Sequence, residues 1–135
     1  MRIARSLLDF ILAVARDSYP YEFIGLLAGK KDLAEEVIFL PGTQSGETSA
    51  TIFMDMLPLG MKVLGTAHSH PSSNIKPSSA DLRMFSRQGK YHIIVGYPFN
   101  YKNWKCYDRR GNEVDVEVVD TEDDDDQEFW DGLWE

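Results

Sequence analysis

His68 and His70 are separated by one residue, and a carboxylate, Asp81, follows after ten intervening residues. In an extended strand side chains alternate between faces, so two imidazoles at this spacing point the same way while Ser69 points away. They form a two-pronged clamp for one metal ion. The intervening stretch from Pro71 to Ala80 is rich in Ser and Pro, which is loop chemistry able to carry Asp81 back across the clamp. Two neutral imidazoles and one carboxylate are the protein ligands of a catalytic zinc site, whose fourth tetrahedral position is left for water. Taken singly, each residue has a plainer use. A strand histidine can be structural, and Asp81 can complete a helix cap with Ser78, since acids favour the first turn of any helix. The three together favour a metal.

The elements that position them follow from the flanking pattern. Met61 to Ala67 is an apolar run expected to be a buried strand, and Pro71 ends it by removing a backbone donor. The histidines therefore sit at a strand's end. Pro77-Ser78-Ser79-Ala80-Asp81 opens a helix with Ser78 as its N-cap, and Ser79 to Arg87 suits that helix, with Leu82 and Phe85 inward and Gly89 closing it. Upstream, Ile3 begins a short strand. Leu7, Leu8, Ile11, Leu12, Val14 and Ala15 then recur at helical spacing, with Ser6 as cap and Pro20 beyond the end. Phe23 to Ala28 and Glu36 to Leu40 make a hairpin turned by Lys30-Lys31-Asp32. Glu22 stands just before that buried run, where a carboxylate can project from the sheet's edge into a cleft; a solvated acid at a strand's start is its plainer fate.

The rest of the chain supplies a loop at Pro41 to Ser49 and a short strand at Ala50 to Met54. Tyr91 to Tyr97 is a central strand holding a structural His92. Trp104 to Tyr107 is a strand in which Cys106 serves as a small buried hydrophobe. Asp108 to Asn112 turns into a last strand, Val114 to Val119. Strands interleaved with two helices imply a mixed α/β domain, a sheet flanked by helices.

Composition narrows the function. A chain of 135 residues forms one domain with a sizeable core. One cysteine excludes an internal disulfide and fits a reducing cytoplasm. The opening MRIARSLLDFILAVARD is expected not to be a secretory signal, because Asp9 breaks its apolar segment, and no run reaches the ~20 apolar residues of a membrane span. The net charge of −8 is local: residues 115 to 135 hold eleven of the twenty-two acids and no Lys or Arg, leaving eleven acids against fourteen bases in residues 1 to 114. Nucleic-acid binding is disfavoured by the total and by the lack of a basic stripe or motif. The division expected is a body of residues 1–120 and an acidic C-terminal tail, 121–135. The tail's four-aspartate run is disorder chemistry, yet Trp130 and Trp134, like Phe129 and Leu133, are spaced to share a helix face. It suits a docking peptide for a partner or for the body's own basic surface.

Glu22, His68-Ser69-His70-Pro71, Ser78 and Asp81 together resemble the motif of the JAMM, or MPN+, zinc metalloproteases. The similarity runs from about Met1 to Val119 and is strongest to the short stand-alone archaeal members, which share stretches like Phe23-Ile24-Gly25-Leu26-Leu27. The resemblance implies an α/β MPN/JAMM domain, with a cytidine-deaminase-like mixed sheet flanked by helices. It implies one Zn2+ per chain on His68, His70 and Asp81, Glu22 as general base and Ser78 as oxyanion donor. It also implies hydrolysis of isopeptide or peptide bonds after the C-terminal glycines of ubiquitin-like modifiers, with small modifier or sulfur-carrier conjugates as partners. The substrate's extended tail is expected to add as a strand beside Ala50 to Met54, with Met54 and Met56 as apolar lining. Two other activities stay open: release of an amino acid from a sulfur carrier, and a non-catalytic MPN scaffold. A zinc deaminase is excluded, since its Pro-Cys-x-x-Cys arrangement needs more than the single Cys106.

Overall fold

The computed structural model describes residues 1–39, 57 and 60–120. The expected loop 41–49, the strand 50–54 with Met54 and Met56, and the acidic segment 121–135 lie outside the described residues.

The chain begins with β1 (Arg2–Ala4) and passes without a loop into α1 (Arg5–Ser18). Ala4 is therefore the N-cap and offers no side-chain bond, while Ser6, the expected cap, falls inside the first turn. Burial outweighs the missing cap. Leu7, Leu8, Ile11 and Leu12 are all buried, each contributing about 1.5–3 kcal/mol, against ~1 kcal/mol for a good N-cap. The hairpin of β2 (Ile24–Lys30) and β3 (Leu33–Phe39) follows, and Lys31 takes a left-handed φ of 55° in its turn. β4 (Lys62–His70) lies antiparallel to β2 and runs extended through both histidines. The helix α2 (Ser79–Phe85) then crosses over to β5 (Tyr91–Gly96), which is parallel to β4. β6 (Trp104–Tyr107), β7 (Glu113–Val114) and β8 (Glu117–Val119) complete the described elements.

The eight strands form one sheet in the order β7-β6-β5-β4-β2-β3-β1-β8. The expected single strand Val114 to Val119 is thus two, β7 on β6 at one edge and β8 on β1 at the other. Only Asp115 and Val116 join them. Laid flat, eight strands would hold their edges ~34 Å apart, yet this connection spans at most ~11 Å. The sheet must curl. Its hollow is filled by α1, where Ile3, Leu8 and Ile11 meet Leu27, Ala67, Ile93, Val95 and Cys106 in one cluster, with Val116 packed against it.

Alternation along the central strands assigns the opposite face to α2. Ile94, between Ile93 and Val95, turns away from α1 and packs with Ile75, Phe85 and Tyr107. His68, next to Ala67 on β4, turns the same way, its ring 6.1 Å from that of Phe85. Leu82 was expected to share this core but is 37% exposed. The helix is shorter than expected, and Leu82 instead covers the Asp108–Asn112 turn, where a Cβ on Gly111 would meet its Cδ2 at 2.5 Å. Gly89 does not close α2, whose C-cap is Ser86; its φ of +104° serves the turn into β5, where a Cβ would meet Leu64 O at 2.7 Å. Among the described residues no helix is long and apolar enough to cross a membrane.

Candidate metal centre

The two imidazoles leave β4 on the face that α2 covers, and α2 returns Asp81 to them from its first turn. His68 Nε2 and His70 Nε2 lie 3.3 Å apart. One Asp81 oxygen is 3.2 Å from the first and the other is 3.2 Å from the second. Zinc bonds of ~2.0–2.1 Å at tetrahedral angles require ligand atoms ~3.3–3.4 Å apart, so the three donors fit the ion in both identity and spacing. His68, His70 and Asp81 are the metal-capable cluster among the described residues.

Two of the three donors are hydrogen-bonded from behind. His70 Nδ1 donates to Asn74 O at 2.8 Å, which leaves the neutral ring's Nε2 free of a proton. Asp81 closes a reciprocal capping box: its Oδ2 accepts from Ser78 N at 2.8 Å, and its own N–H donates to Ser78 Oγ at 3.1 Å. Capping and metal binding were alternatives for Asp81 on sequence grounds. The structure shows the cap, with the same carboxylate facing both imidazoles. His68 Nδ1 is buried with no hydrogen-bond partner among the described residues, and its ring is oriented by packing on Phe85 and His70.

The loop between His70 and Asp81 is braced by the neighbouring strands. Tyr97 N donates to Ser72 O at 3.0 Å, Asn103 Nδ2 to Ser73 O at 3.1 Å, and the Tyr107 hydroxyl to Ile75 O at 2.6 Å. Ser69, which points away from the clamp, accepts from Phe23 N at 3.0 Å while its own N–H donates to Phe23 O at 3.2 Å. These bonds carry the β2–β4 pairing past Ile24 and fix the chain immediately after Glu22. Glu22, exposed at that edge, lines one cleft of about 540 Å³ with His70, Ser78 and Asp81.

The description "Prokaryotic homologs of the JAB domain" matches residues 4–108 of this chain. The chain belongs to the prokaryotic JAB family. A JAB1/MPN domain protein from Archaeoglobus fulgidus is 50% identical, with a TM-score of 0.75 over 88% of this chain and 99% of its own. A structure described as "JAMM: A Metalloprotease-like Zinc Site in the Proteasome and Signalosome" is 48% identical, with a TM-score of 0.71 over 88% of this chain and 97% of its own. A Haloferax volcanii protein named "Probable metalloprotease" is 34% identical over 96% of this chain and 86% of its own length. The curled mixed sheet, with two helices among the described residues, is the JAB1/MPN fold, and the His-His-Asp cluster is its JAMM-type site.

Electrostatics prepare this JAB site for a cation. Burial works to raise the Asp81 pKa, but hydrogen bonds from His68, His70 and the Ser78 N–H outweigh it and hold the carboxyl far below its usual range. His70 is pushed up, chiefly by its hydrogen bond to Asp81, with burial opposing and the charge of Glu22 adding to the rise. Without a metal, Asp81 thus attracts a proton to His70, whose place a bound cation would take. Asn74 and Ser69 were not singled out as supports. Asn74 acts through a main-chain carbonyl, which no side-chain pattern marks, and Ser69 carried only the information that it faces away.

His92 and Cys106 stand apart from the site. In the JAB core, Thr66 Oγ1 lies 2.8 Å from His92 Nδ1, and His92 Nε2 lies 3.1 Å from Gly89 O. One acceptor and one donor are what a neutral imidazole has to offer. The ring stacks on Phe85 with centroids 4.2 Å apart, and burial pushes its pKa down to about 4. Between pH 6.5 and 4 the unfolded chain binds a proton here that the folded one refuses, so this stability is complete above pH 6.5 and lost as pH falls. The loss at pH 5 is ~2 kcal/mol. An NMR titration of the His92 ring should show a midpoint near 4 in folded protein; a midpoint near 6.5 would contradict the buried, neutral assignment. Burial also pushes the Cys106 thiol up to about 11, which leaves it no nucleophilic role at neutral pH.

Proposed function

We propose that this JAB domain is a zinc-dependent protease that hydrolyses the isopeptide or peptide bond after the C-terminal glycines of a ubiquitin-like modifier. The observation that carries this reading is the cleft shared by Glu22, His70, Ser78 and Asp81, which joins a carboxylate and a hydroxyl to the zinc-capable triad. Similarity to a JAMM zinc-site structure and to a Haloferax protein named as a metalloprotease supports it.

His68, His70 and Asp81 would hold the zinc, which would lower the pKa of a water from ~15.7 towards ~7 and serve as an electrophile for a carbonyl. Glu22 takes the proton from the attacking water as the C–O bond forms, and later gives it to the amine as the C–N bond breaks. Ser78 donates its hydroxyl proton to the oxygen that gains charge. Its cap duty does not compete with this, because the cap uses an oxygen lone pair to accept from Asp81 N and leaves the O–H free. The described lining includes Ser72, Asn74, Ser78 and Ala80, small or polar groups suited to a glycine tail with no side chain to bury.

Ser78→Ala is expected to reduce turnover by about 10²- to 10³-fold, as for a lost oxyanion donor, and stability by ~1 kcal/mol for the lost cap. Activity per bound zinc, compared at temperatures equally far below each Tm, separates the two losses. Unchanged turnover would assign Ser78 to the cap alone. The reading as a whole is tested by incubating the protein with a carrier–lysine conjugate and with a carrier–amino-acid adduct, with and without chelator. Cleavage of the first is expected. Cleavage of the adduct alone would favour release of an amino acid from a sulfur carrier, and zinc-loaded protein inert towards both would favour a scaffold.

A further inference from the structure

At the opposite end of β4 and β5 from the metal centre, Lys31, Lys62, Lys90 and Arg109 line a pocket of about 250 Å³ with Val63 and Tyr91 among its apolar walls. Six to eight residues of β4 separate the two sites, roughly 20–25 Å of strand. All four cations are exposed, and among the described residues the ammonium groups of Lys31, Lys62 and Lys90 have no partner. Arg109 uses Nε on Gly89 O at 2.9 Å, which leaves its terminal nitrogens available. The lining's one acid, Asp32, is paired with Arg2 at 3.2 Å. Like charges around a concave wall attract anions, and this wall has little of its own to neutralise it.

We propose that this pocket binds the acidic segment 121–135 of the same chain, with Asp123 to Asp126 on the cations and an aromatic side chain of the segment against Val63 and Tyr91. The segment holds eight acids, no Lys or Arg, and the aromatics Phe129, Trp130 and Trp134. Its chemistry complements a basic wall with an apolar lining, and a tryptophan beside Lys or Arg gains a cation–π contact as well. Reach is sufficient. The segment leaves from Asp120, held by Arg5 at 2.6 Å, and three residues before Arg5 stands Arg2, bonded to Asp32 of the pocket. By the β8–β1–β3 register Asp120 lies about 16 Å from Asp32, two strands across and four residues along, and the six residues to Asp126 span ~20 Å when extended. Tethering gives the segment an effective concentration on the order of millimolar, so weak contacts suffice to hold it. Docked there, its carboxylates lie far from the metal triad.

A zero-length carbodiimide, which joins lysine amines to carboxylates already in contact, tests this on the full chain in 50 mM salt. An equal mixture of ¹⁴N and ¹⁵N chains separates links within a chain from links between chains. Lys105 and Glu113, 2.7 Å apart, supply the positive control. Residues 122–126 are expected to link to Lys31, Lys62 or Lys90 within single-isotope chains. Arg109→Glu, which removes no amine, should lower those links about tenfold and spare the control; Lys90→Glu should do the same to links at Lys31 and Lys62. The proposal fails if the control forms without them, if the segment links mainly to Lys76 or Lys102, or if mixed-isotope pairs dominate.

Discussion

Glu22→Gln protein should keep its zinc and its Tm and lose about 10²- to 10⁴-fold in turnover, the usual range for a positioned acid–base group. Glutamine matches glutamate in size, and the bonds that fix this part of the chain run between Ser69 and the main chain of Phe23, which the substitution leaves intact. The amide cannot take a proton from water or return one to an amine. Glu22 lies outside the triad, so metal content should be unchanged. The measurement is turnover on a carrier–lysine conjugate, normalised to bound zinc. Parent-level activity would remove Glu22 from the mechanism while leaving the metal site in place.

Replacing Asp81 should separate its two jobs. Asp81→Asn keeps an oxygen to accept from Ser78 N, so α2 should stay capped, but it loses the negative charge that the imidazoles now face. Zinc affinity is expected to fall by more than the ~10- to 100-fold typical of a lost outer partner, and activity with it. Asp81→Ala should lose the metal equally and a further ~1 kcal/mol of stability through the open cap. Chelator competition gives the affinities, and unfolding in excess chelator gives the cap's share. Asp81→Asn protein with parent affinity would move the metal to other ligands.

How much of this was legible depends on the range of the cause. His68 and His70 could be placed on one face because the period of a strand is two, and Ser78 with Asp81 announced a helix start through chemistry three residues long. Glu22 was marked only by standing before an apolar run; its distance from the histidines depends on β2 pairing with β4, with Ile24 opposite His68. Local pattern failed where tertiary structure took over. Ser6 is a good cap in isolation, but the strand before it left no turn to cap. Val114 to Val119 has a single alternating pattern, and nothing within it says that its two halves pair with opposite edges of a curled sheet. Leu82 has the right spacing for the core and covers a turn because α2 ends at Phe85.

The pairing of β1 with β8 has a consequence for how the protein is made. Arg2 is registered with Glu117 and Ala4 with Val119, so β1, once made, acquires one of its two neighbours only after more than a hundred further residues have been added. Its other neighbour, β3, comes early, and the α1–β2–β3 portion can assemble during synthesis. The edge beside β1 then stays open until β8 has been made, a late, non-local closure of the kind that slows folding and leaves strand edges exposed to aggregation. A chain stalled before residue 117 would hold both histidines and Asp81 yet lack the strand that covers β1.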